Sequence, residues 1–125
     1  LSKYILKEPN WRDIEKYLIS AKSVDHIVKE VSNAIWKAYI RGFITEKDVK
    51  KKLDALMLLI NVNILLVDEL KLIRDAMSIA INEKIPVYDA LYVALAEKEG
   101  IPLVTSDKKQ MDICRKRGVT VYYIK

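Results

Sequence analysis

The chain has one cysteine, Cys114, and one histidine, His26. A lone cysteine excludes an internal disulfide framework and fits a reducing, cytoplasmic compartment. One Cys and one His cannot supply the ligand set of a zinc site. Glycine and proline are scarce, with three of each among 125 residues, which excludes collagen-like and low-complexity chains. No apolar run reaches the ~18 residues that a membrane helix needs. The longest, Leu53 to Val67, is interrupted by Asn61 and Asn63. No signal peptide is expected. No G-x-S-x-G elbow, P-loop or G-x-G-x-x-G occurs, so serine-hydrolase and nucleotide-cradle chemistry lack their motifs.

Hydrophobic residues make up 51% and charged residues 31%, enough to build a core and stay soluble. The formal net charge is +5 and the pI about 9.2. A basic surface favours polyanions, because neutralising phosphates releases counterions. Solubility alone also explains a lysine-rich surface. With no linker, repeat or shift in composition, residues 1–125 read as a single domain.

Periodicity gives the elements. Trp11, Ile14, Leu18 and Ala21 recur at spacings of three and four, which predicts a helix from Pro9 to Ala21. A second helix is expected over Asp25 to Arg41, with Gly42 as its stop. Thr45 and Asp48 resemble a capping box. It opens a helix whose inner side carries Val49, Leu53, Leu56, Met57 and Ile60. Asn63 to Val67 reads as a buried strand, followed by a helix over Leu70 to Asn82 with Ile73, Met77 and Ala80 inward. Pro86 starts and Gly100 ends another helix. Pro102 to Thr105 and Val119 to Ile124 are strands on either side of a basic helix, Asp107 to Arg117. Alternating helices and short apolar strands predict a parallel α/β sheet with helices on both faces. Ligands of such sheets bind beyond the carboxyl ends of the strands.

Three acids stand out. Asp107 directly follows the strand Pro102 to Thr105, in that crevice; alternatively it caps the next helix. Asp89 opens a helix that is otherwise almost wholly apolar, where an unpaired carboxylate is costly; alternatively it only complements the helix dipole. Glu30 borders the apolar stripe of its helix and is expected to point toward the core side, or else to snorkel to solvent. Should the three converge, they form an all-oxygen site of the kind Mg²⁺ or Mn²⁺ prefers. His26 reads as a surface or capping residue and Cys114 as a small core hydrophobe.

The stretch Pro86 to Asp107, PVYDALYVALAEKEGIPLVTSD, resembles the C-terminal half of a PIN (PilT N-terminus) domain, in its Y-D-A-x-Y-x-A-L-A run and its strand ending in T-x-D. Ile27 to Trp36, IVKEVSNAIW, resembles that family's acidic helix, and the subgroup it most resembles is that of VapC-type toxin ribonucleases. The resemblance implies an α/β/α sandwich around a parallel sheet and a ribonuclease using Mg²⁺ or Mn²⁺. It assigns Glu30, Asp89 and Asp107 as metal ligands and catalytic acids, with Thr105 orienting a carboxylate or a water. It places a further acid, at the end of a first strand, about four residues before Leu1, in the same crevice. Where some members carry another acid, this chain has Lys109.

An acidic site repels RNA, so a basic rim is required, for which Lys108, Lys109 and Arg12 are candidates alongside their ordinary role as solvated charge. The resemblance also implies a small antitoxin partner and a homodimer. Two other readings remain. One is a degenerate PIN-like module that binds RNA or protein without cutting. The other is a phosphoacceptor domain, for which Asn63 to Asp68 offers no suitable acceptor.

Overall fold

The computed structural model describes all residues, Leu1–Lys125. They form a mixed α/β fold of seven α-helices, two 3₁₀ turns and four short strands. The chain divides into two compact units, Leu1–Leu66 and Val67–Lys125.

The first unit begins with helix α1, Ser2–Ile5. A 3₁₀ turn at Trp11–Ile14 and the one-turn helix α2, Glu15–Leu18, follow. The single helix expected from Pro9 to Ala21 is therefore not what forms. Asn10 and Ser20 hold positive φ angles, 70° and 57°, which interrupt a right-handed helix at both ends. Ala21–Val24 is instead strand β1, with Ser23 and Val24 buried. Helix α3, Ile27–Ile40, lays Val31 and Ile35 into the core. Helix α4, Glu46–Val62, starts at a complete capping box. The Thr45 hydroxyl accepts the Asp48 N–H at 3.2 Å, and the Asp48 carboxylate accepts the Thr45 N–H at 2.9 Å. Ile5, Val31, Ile35 and Leu56 form the centre of this core, with Ile27, Ile44, Leu53 and Ile60 packed around it. Met57, placed on the inner side by periodicity, is exposed. Strand β2, Ile64–Val67, pairs with β1.

In the second unit a 3₁₀ turn, Glu69–Lys71, leads into helix α5, Ile73–Glu83. Its inner residues are Ala76, Ile79 and Ala80. Ile73 and Met77, expected inward, are exposed, because the helix turns its alanine side toward helix α6, Val87–Glu99. Six residues of α6 are buried, Ala90, Leu91 and the run Val93–Ala96. Gly100 ends α6 with φ +64°, and the Ile101 N–H reaches back to the Ala96 carbonyl at 3.1 Å. The chain then enters strand β3, Leu103–Thr105, which pairs in parallel with β4, Val121–Tyr123. Helix α7, Lys108–Lys116, is the crossover between them and buries Met111, Ile113 and Cys114. The strand–helix–strand order expected for residues 102–124 is thus present.

Candidate active site

Thr105 is the last residue of β3, and Asp107 is the N-cap of α7. Sequence order alone puts them at the carboxyl end of a parallel strand, where backbone N–H groups of the next helix face outward. The Asp107 carboxylate accepts the N–H groups of Lys109 (2.9 Å) and Gln110 (3.2 Å). Both bonds fall on Oδ1, which leaves Oδ2 outside the cap. Capping and ligand binding, alternatives in the sequence, are compatible in the same carboxylate.

The Thr105 side chain is buried. Its hydroxyl accepts the Asp107 N–H at 3.0 Å and donates to Gln110 Oε1 at 2.6 Å. It orients the backbone of the acid, and so fixes where the carboxylate starts from.

Asp89 lies in the first turn of α6, partly buried beside the exposed Tyr88. Pro86, the N-cap, has no side chain able to cap the free N–H groups, so this helix end keeps its positive field and favours an acid. The Asp89 N–H bonds the Pro86 carbonyl at 3.1 Å. The Asp89 backbone carbonyl accepts Gln110 Nε2 at 3.0 Å. One residue, Gln110, therefore touches the backbone of one acid with its side chain and the carboxylate of the other with its main chain. The structure brings Asp89 and Asp107 within reach of a single glutamine.

Glu30 belongs to the first unit, in the first turn of α3. Its side chain is 48% exposed and lies 3.9 Å from His26 Nε2, one turn earlier. The expected orientation toward the core side is corrected: the buried face of α3 is carried by Val31 and Ile35, and Glu30 stands off it. His26 is the N-cap residue of α3 without a side-chain capping bond.

Of the expected basic rim, Lys108 and Lys109 lie in the first turn of α7, beside Asp107, and both are exposed. Lys109 Nζ donates to the Lys84 carbonyl at the end of α5, at 3.3 Å. Arg12 is in the first unit, its guanidinium 5.2 Å from the Trp11 ring centre.

The donor chemistry here is carboxylate oxygen, which fits a hard divalent cation. No three His, Cys, Asp or Glu side chains gather as a group able to hold a metal ion. Asp89 and Asp107 are the pair held by one hydrogen-bonded chain, and Gln110 is the member of that chain that motif reading passes over. A signal for it existed. Gln110 is the chain's one glutamine and sits beside Met111, one turn before Cys114, on the apolar face of an otherwise basic helix.

Comparison with known proteins agrees with the motifs. The family model of the PIN domain matches residues 1–116. A ribonuclease VapC3 from Pyrobaculum aerophilum is 33% identical over 87 residues, 70% of this chain and 66% of the relative. The aligned part thus spans about two thirds of that relative's length. No helix is long and apolar enough to cross a membrane.

Proposed function

This chain belongs to the PIN domain family, and from that premise we propose that it is a divalent-metal-dependent ribonuclease of the VapC kind, with residues 1–125 working as one domain. Asp89 and Asp107 would hold Mg²⁺ or Mn²⁺. The family resemblance assigns Glu30 the role of a further ligand; within its own unit it stands half exposed in the first turn of α3. When bound, the cation supplies Lewis-acid charge for the phosphoryl oxygens and an activated water. The chain's own residues do the rest. Brought to one ion, the carboxylates would repel each other, a repulsion that a small, doubly charged partner relieves. Thr105 orients the Asp107 backbone through its hydroxyl. Lys108 and Lys109, next to the acids, and Arg12 attract the RNA backbone that the acids alone would repel.

The observation that carries the reading is the hydrogen-bonded chain from Asp89 through Gln110 and Thr105 to Asp107. It joins the two best-matched motif acids at neighbouring helix starts. The subgroup further suggests a small antitoxin partner, self-association as a homodimer and a cytoplasmic setting.

Purified protein with Mn²⁺ is expected to cut single-stranded RNA, and Asp89→Asn to abolish cutting while leaving the circular dichroism spectrum unchanged. Cutting that persists in Asp89→Asn overturns the site. A wild-type protein that binds RNA and never cuts it identifies the degenerate binding module instead.

A further inference from the structure

We propose that Gln110 is a positioning residue that sets the placement of Asp89 relative to Asp107. The proposal rests on the metal-dependent reading above. Gln110 is 8% exposed, an uncommon place for a long polar amide, and no buried side-chain nitrogen or oxygen of the protein lacks a partner. Its Nε2 donates to the Asp89 carbonyl at 3.0 Å, its Oε1 accepts from Thr105 Oγ1 at 2.6 Å, and its main-chain N–H donates to Asp107 Oδ1 at 3.2 Å. Only one orientation of the amide serves both side-chain bonds, because a backbone carbonyl can only accept.

An apolar residue of similar volume, such as Met, would fill the same space and pack with Met111 and Cys114, which are buried on the same helix. It would not tie the start of α6 to the end of β3. The amide does what a core residue cannot: it converts two separate helix starts into one rigid frame. A metal site needs its ligands held in a narrow range of positions before the ion arrives, and a frame one hydrogen bond away from each ligand supplies that. Gln110 makes no contact with substrate in this account and acts only through Asp89 and Asp107.

The test is Mn²⁺ binding by isothermal titration calorimetry on metal-free protein, for wild type, Gln110→Met, Asp89→Asn and Asp107→Asn. Gln110→Met is expected to weaken Mn²⁺ binding by roughly 10-fold with an unchanged metal-free circular dichroism spectrum, and both Asp variants to weaken it further. Should Gln110→Met fail to fold, Thr105→Val, which cuts the same chain at its other link, is measured in its place and is expected to weaken binding in the same direction. Wild-type affinity in Gln110→Met, with binding lost in the Asp variants, overturns the positioning role and leaves the metal site standing. Unchanged affinity in both Asp variants overturns the metal site and the role of Gln110 with it.

Discussion

In the proposed site Asp107 would carry two roles on two oxygens, the observed cap on Oδ1 and a ligand on Oδ2, and substitutions separate them. Asn keeps an acceptor for the α7 N–H groups, while Ala removes it and costs about 1 kcal/mol of helix capping. Asp107→Asn is therefore expected to unfold at close to the wild-type temperature yet lose RNA cleavage, whereas Asp107→Ala loses both stability and cleavage. Thermal denaturation beside a cleavage assay reads the two effects apart. Cys114 lies at the other extreme. It is fully buried, and burial pushes its thiol up to about 11. Native protein is expected to resist alkylation at pH 8 and to react once unfolded, as mass spectrometry would register. The places of Asp89, Thr105 and Asp107 at helix starts and a strand end were legible because motifs preserve spacing, and spacing survives any detail of packing. Gln110 was not, because its role depends on a contact twenty-one positions away, with Asp89.

At the scale of elements, caps and long amphipathic helices could be read directly. The box Thr45–Asp48 is present in both directions, and the Thr45 bonds hold the Asp48 carboxyl below its ordinary range. Thr45→Ala is expected to destabilise the protein by about 1 kcal/mol in urea denaturation. The segment after Pro9 misled because its apolar spacing fits a helix, while Asn10 and Ser20 adopt left-handed backbone that ends one. β1 was missed because Ala-Lys-Ser-Val is too short to show alternation, and its burial comes from packing rather than composition. The inner face of α5 was misplaced for a related reason. Ile73 and Met77 are more hydrophobic than Ala76 and Ala80, yet small residues allow α6 to approach closely, and the larger ones remain outside.

At the largest scale, ion pairs tie the helices of the second unit together. Lys116 and Arg117 at the end of α7 hold Glu83 of α5, and Arg117 also binds Glu97 of α6. The hydrogen bond from Lys116, followed by the remaining charge of that pair and of Arg117, keeps the Glu83 carboxyl below its ordinary value of 4.5. A carboxyl depressed in the folded state adds stability above its unfolded value, and that stability is lost as pH falls through the folded one. Glu83→Gln is accordingly expected to lower the urea midpoint at pH 7, and the gap from wild type to close on acidification below about pH 4.5. On the proposed reading, RNA affinity would fall with salt in proportion to the phosphates that the basic rim neutralises. Lys108→Ala is expected to weaken RNA binding uniformly across sequences and to reduce the slope of log K against log salt, by roughly 0.7 for single-stranded RNA.

The proposed placement of a doubly charged ion at Asp89 and Asp107 is open to direct observation. It is tested most directly by crystals grown with Mn²⁺ and measured for anomalous scattering. The expected result is a peak in contact with the carboxylates of Asp89 and Asp107. A peak away from both acids in protein saturated with Mn²⁺ would rule out this site.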